Sequence, residues 1–405
     1  PKNIVLNNGT TLSDADNIYS YSSNSVNVKV PKGATASWYL DSRCNYTGQL
    51  TGDGTLNLYS RSTRAYLKGY WGDFTGRLNI AGKKTGSYDP MLYVQGSLKN
   101  AEINATITLN NNGSNVAVGS VSGSAELDGK GTWSVGGNDK DFTFQGYING
   151  GGLIKIGNGM MTIGKKQDKL GKQVDVQGGT LNINSSATTV TADNRWFGSQ
   201  SVSVTGGGCF AGRGVVEKIL VNDGGTLQPG NAANAIQYGA LKTANGCYLY
   251  KGAKVLFNIY STKLYPSLGT NGTLSLADGS TVAVTLSSKY TPKVGDTFTL
   301  WDVTTLTASA DGVTLQLPTL PNGFAWDTSE LFQQKGLLKV VAATGINQLT
   351  ADTVFHCEVF KTNGARVGVL TTTKARLNED IRGLHVEPGL YLVKVGATTM
   401  KVLVK

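Results

Sequence analysis

Short runs of alternating apolar and polar residues recur from Asn3 to about Ala343, each ended by Gly, Asn or Asp. Residues 26–30, 54–58, 77–80, 103–109, 174–176, 180–183, 201–204 and 226–228 are examples. Period-two alternation predicts half-buried β-strands, and no stretch carries the 3.6-residue period of a helix. Strands this short cannot bury an apolar face alone, but stacked coils share one interior. The pattern therefore predicts an all-β fold: a right-handed parallel β-helix over residues 1–343, with residues 1–45 capping its open end. At roughly 20 residues and about 4.8 Å per coil, the rod extends on the order of 80 Å and needs no partner subunit.

GTLNL (54–58), GTWSV (131–135), GTLNI (179–183) and GTLQP (225–229) place a glycine before a threonine and an apolar residue. Glycine suits the corners of such a coil, where backbones crowd or φ turns positive. Beyond Ala343 to Asn347 the character changes. Two strands in 354–370 are joined by Asn363-Gly364, and a further pair in 389–405 turns at Gly396, which predicts a small antiparallel immunoglobulin-like β-sandwich over 347–405.

The stretch GKGTWSVGGNDKDFTFQGYINGGGLIKIGNGMMTIG (129–164) resembles the autotransporter-associated β-strand repeat, with Lys155, Gly157 and Gly159 at its K-x-G-x-G finish. Residues 52–80 resemble a divergent second copy, and the likeness extends over roughly 45–341. The terminal segment resembles a type IX secretion sorting domain, through Asn363, Gly364, Val367, Pro388, Gly389, Tyr391, Val393, Lys394, Lys401 and Lys405. These resemblances imply a secreted protein or one held at the outer surface of a Gram-negative bacterium, engaging secretion machinery through its terminal module. The implied role is structural, adhesive or glycan-binding. The alternative is a β-helical polysaccharide lyase or glycoside hydrolase, or the non-catalytic end of one.

Composition agrees with a turn-rich β protein: 53 glycines against 9 prolines. Lys and Arg exceed Asp and Glu by 37 to 27, and a net charge of +10 favours anionic partners. No nucleic-acid-binding motif is present, so acidic polysaccharide or host or dietary glycan is the expected partner. No apolar window is long enough to span a membrane, which leaves peripheral attachment. The chain begins at Pro1, as a mature product or part of a longer one would. The four cysteines have no metal-ligand spacing; Cys209 and Cys247 are either joined across neighbouring coils or buried as free thiols.

Both histidines, His356 and His385, lie in the terminal module, which removes histidine-based catalysis from the solenoid. Carboxylate candidates are Asp14 with Asp16, Asp73, Asp139 with Asp141, and Asp193 beside Arg195; each also reads as an ordinary turn residue. No cofactor or metal is expected. Trp71, Trp196 and Trp301 offer flat faces for sugars, although aromatics in a solenoid more often stack in its core. The strongest binding candidate is DNRWFG (193–198), where Arg195, Trp196 and Phe197 follow a polar loop. The basic run GKKQDKLGK (164–172) supplies Lys165, Lys166 and Lys169 as a second contact.

Overall fold

The structure, a computed structural model, describes residues 2–13, 23–40, 43–61, 65–82, 89–321, 323–343, 351–396 and 398–404. Asp14, Asp16, the junction beyond Ala343 and Lys405 fall outside them. Strands take 53% of the chain and helix 2%, in an all-β, solenoid-like arrangement.

Parallel pairing runs from Asn3–Val5 on Asn27–Val30 to Thr281–Leu286 on Thr314–Gln316. Residues 1–45 thus already contribute rungs in register with the coils that follow: Thr35–Leu40 pairs directly with Thr55–Ser60. Alternation decides what is buried. Leu56, Leu78, Ile103 and Val121 stack in register and are buried, while Thr55, Arg77, Glu102 and Ser120 form the adjoining row. Coil length varies from 17 residues (Val202 to Ile219) to 33 (Leu268 to Trp301), because the ladder fixes only the rungs and leaves the turns free.

From about residue 130 onward each coil has three faces. Residues 152–155, 174–176, 202–204, 219–221 and 247–249 stack on one. Residues 142–144, 160–163, 180–184, 209–211 and 226–228 stack on a second. Residues 214–216, 239–243, 266–270 and 301–303 stack on a third. One strand, Cys209–Val216, serves two faces. Gly212 and Gly214, with φ of 138° and 126°, make the corner between them, in a region that disfavours any side chain.

The parallel stack ends in an antiparallel cap. Lys335–Ala342 runs against both Thr297–Ala308 and Phe324–Asp327, so the change of direction comes before residue 343. Trp326 packs edge-on to Phe298 and donates its indole N–H to Pro318 O at 2.8 Å. Val354–Lys361 then pairs with Arg366–Thr373 on one edge and Gly389–Val395 on the other, and Gly389–Val395 pairs with Thr398–Val404. A short helix, Leu377–Arg382, buries Leu377 and Ile381 and touches both outer strands, closing this module's core from one side. The Asn363-Gly364 turn forms as the sequence indicates: Gly364 has φ 88° and Asn363 Oδ1 accepts the Ala365 N–H.

Candidate ligand-binding face

Two predicted segments, 164–172 and 193–198, carry no strands, yet they occupy successive rungs of the third face. The residue that joins them is Gln167, fully buried. Its Oε1 accepts the Ile148 N–H at 2.7 Å, and its Nε2 donates to Gly146 O at 3.0 Å and Lys165 O at 2.9 Å. Its backbone N–H donates to Trp196 O, and the Trp196 N–H donates to Val215 O. A side-chain amide thus replaces the missing ladder bonds, as burial of backbone polar groups requires. The third face continues unbroken from Tyr147–Ile148 through Gln167 and Trp196 to Val215. No sequence signal was used to find Gln167, though it and Leu170, also buried, stand apart from the charges around them.

Lys165 and Lys169 both approach one aromatic ring. Their ammonium groups lie 4.8 and 5.7 Å from the ring centre of Tyr147, which is 39% exposed. Neither lysine has an acidic partner among the described residues. Lys166 differs: it lies 3.6 Å from Asp168. The same face also bears a tyrosine pair on earlier coils, Tyr66 stacked on Tyr93 at 4.5 Å with Lys68 over Tyr66. The basic groups around Glu102 are paired. Glu102 bonds Lys140 at 2.9 Å and pairs with Arg77; the Lys140 hydrogen bond and the two cations hold its carboxyl below the usual range despite partial burial.

The aromatic segment departs from expectation. Phe197 is completely buried and packs on Phe210, because this rung needs an inward apolar residue where no strand supplies one. It is core, and no ligand reaches it. Arg195 does not face Asp193; it pairs with Glu217 at 2.5 Å, and Glu217 also accepts from Asn245. Its charge is therefore largely neutralised. Trp196 packs partly against the core. Arg195 Nε and Trp196 Nε1 are buried donors without a partner among the described residues. Trp71 and Trp301 are core residues as well, bonded through their indole N–H to Gly48 O and Gln333 O.

The carboxylate candidates serve the coil backbone. Asp139 Oδ1 accepts the Asn158 N–H at 2.6 Å and Asp141 Oδ1 accepts the Met160 N–H at 2.7 Å, each reaching one coil onward. Asp73 is an exposed turn residue, and Asp193 is exposed in the 3-10 helix Ala192–Asn194. Cys209 and Cys247 are free thiols on different faces, Cys209 beside Thr180 and Thr226 and Cys247 beside Ile219 and Leu274, so no bond joins them. His356 lies on the terminal sheet with Nδ1 3.3 Å from Thr371 Oγ1, and lines a cavity of about 680 Å³ with Glu358, Arg366 and Lys394.

No family model matches this chain, and no curated protein matches it.

Proposed function

We propose that this chain is a non-catalytic β-solenoid of the bacterial exterior that binds acidic polysaccharide along its third face, with residues 347–405 as the module addressed by secretion machinery. The observation that carries the binding role is Tyr147 with the ammonium groups of Lys165 and Lys169 at 4.8 and 5.7 Å from its ring centre. An exposed ring supplies a flat surface for a sugar, and two cations free of carboxylate partners supply charge for its anionic groups. The half-buried Tyr66–Tyr93 stack with Lys68 over Tyr66 repeats this pattern on the same face. Support for a non-catalytic role comes from Asp139 and Asp141, whose carboxylates are engaged by backbone amides. Support for the exterior comes from the repeat and sorting-domain resemblances.

The test is binding to polygalacturonate by surface plasmon resonance across a salt series. Affinity is expected to fall steeply from 0.1 M to 1 M salt, as the screening length shrinks from about 10 Å to about 3 Å. The double substitution Lys165→Ala with Lys169→Ala is expected to weaken it severalfold. Binding to polygalacturonate that is indifferent to both would overturn the reading.

A further inference from the structure

Beyond Trp196 the third face opens into a groove. Arg195 bridges Val215, and Val215, Lys242, Gly269 and Asp302 follow in register on consecutive rungs. Inward neighbours on these rungs, Leu241, Leu268 and Trp301, are buried in the core, so alternation turns the Lys242, Gly269 and Asp302 positions outward. Gly269 has no side chain to place there. The result is a shallow groove two rungs wide, about 9.6 Å, floored by Gly269 and the stem of Lys242, with Asp302 on the far rung. Lys263, Tyr265, Asn271 and Thr304 complete the lining of a cavity of about 660 Å³. This lies inside the range of roughly 300–1,000 Å³ typical of small-ligand sites.

The charges in the groove are uncommitted. Lys242, Lys263 and Asp302 form no ion pair among the described residues, in contrast to Arg195 with Glu217 on the adjoining rung. Lys242 and Asp302 lie on opposite sides of Gly269 and do not neutralise each other. Two ammonium groups would receive a carboxylate. An aspartate accepts hydrogen bonds from hydroxyls, and Asn271 and Thr304 both donate and accept. A neutral sugar leaves the lysines unanswered, and a simple anion leaves Asp302 facing like charge. A sugar bearing a carboxylate satisfies both the lysines and Asp302.

We propose that the groove over Gly269 is a subsite for one uronic acid residue, with Lys242 and Lys263 holding its carboxylate and Asp302 accepting from its hydroxyls. It deepens the polysaccharide-binding reading: the Tyr147 region gives diffuse, charge-driven contact, and the groove gives selection of the sugar.

Gly269 also supplies the means of testing it. Its φ is not in the left-handed region, and an added Cβ would first meet the flexible Lys242 stem at 3.2 Å, which must give by a few tenths of an ångström, and Asp302 O at 3.5 Å. Gly269→Val therefore fills the groove, and Lys242→Met removes its charge while keeping the stem. The full chain is titrated with trigalacturonate and with neutral trigalactose by calorimetry, with circular dichroism confirming each variant's fold. Trigalacturonate is expected to bind at least tenfold more tightly than trigalactose. Both variants should lose at least tenfold in trigalacturonate affinity.

Equal binding of the two trisaccharides, or trigalacturonate affinity unchanged by Lys242→Met, overturns the subsite. If only the Lys165/Lys169 variant loses affinity, the groove inference fails while the polysaccharide reading stands. If neither trigalacturonate nor polygalacturonate binds the unaltered chain, both fail. Should Gly269→Val unfold, Lys242→Met and Asp302→Asn decide the matter alone.

Discussion

Ala325 and Trp326 are neighbours in one strand, yet their side chains are buried in different cores: Trp326 in the solenoid, Ala325 in the terminal module. Val354 pairs with Trp326, and Thr328 donates its hydroxyl hydrogen to Asp352 O. The cap hairpin is therefore shared between the two parts. Removing residues 351–405 uncovers Ala325, Val341 and Ala343, a loss of about 2 kcal/mol at current estimates of apolar burial. Hydrogen exchange in the truncated chain is expected to speed up across 324–342 while rungs before about 260 keep their protection. Unchanged exchange at 324–342 would show that the solenoid closes independently of the module.

Gln167→Leu tests whether one side chain holds the third face together. The substitution preserves bulk and removes three side-chain hydrogen bonds, leaving the buried Ile148 N–H and Gly146 carbonyl without these partners. Each such buried group costs about 1–3 kcal/mol. Unfolding by denaturant should show a loss on the order of 3 kcal/mol. A loss under about 1 kcal/mol would mean that packing alone, and not the amide ladder, matters here.

Much of the fold was legible because alternation reports directly on which residues face inward: the buried leucines and valines at 56, 58, 78, 174, 176, 202 and 204 sit where period two puts them. The GT motifs were less informative. GTLNL lies on the ladder with Arg77–Gly82, whereas GTLNI lies on the separate ladder with Met160–Ile163, because a Gly-Thr pair marks a corner without saying which. Phe197 was misread since a loop that supplies a core residue has no periodicity. The groove was hidden because Gly269 looks like every other turn glycine, and its neighbours Lys242 and Asp302 lie 60 residues apart. The helix Leu377–Arg382 did leave a signal, Leu377 and Ile381 four apart.

Thiol titration checks the cysteine assignment. Burial pushes the Cys247 thiol far up, Cys357 to about 12, and Cys209 to about 11 against a weaker opposing hydrogen bond from Thr180. Since the thiolate is the reactive form, these three should react slowly with Ellman's reagent at pH 8 in the native protein. Denaturation without reductant should release four thiols. Two would indicate a bond that the separate faces of Cys209 and Cys247 do not allow.

Lys155 should leave a pH signature. It is fully buried, and its ammonium donates to Ile156 O at 2.7 Å, Gly157 O at 3.0 Å and Gly178 O at 3.2 Å, tying its own coil to the next. Burial lowers its pKa to about 8, opposed by the nearby charges of Asp139 and Asp141. An unfolded lysine titrates near 10.4. Below pH 8 both states hold the proton, and the cost of burying charge is fully present. Between about 8 and 10.4 the native state has released its proton while the unfolded chain keeps it, so unfolding takes up a proton and stability rises with pH. Lys155→Met removes this group from the balance. The stability of the unaltered protein relative to Lys155→Met is therefore expected to increase from pH 8 to 10, measured by denaturant unfolding at fixed ionic strength. A difference that stays flat across that window would mean that the three carbonyls hold the lysine charged as firmly as water does.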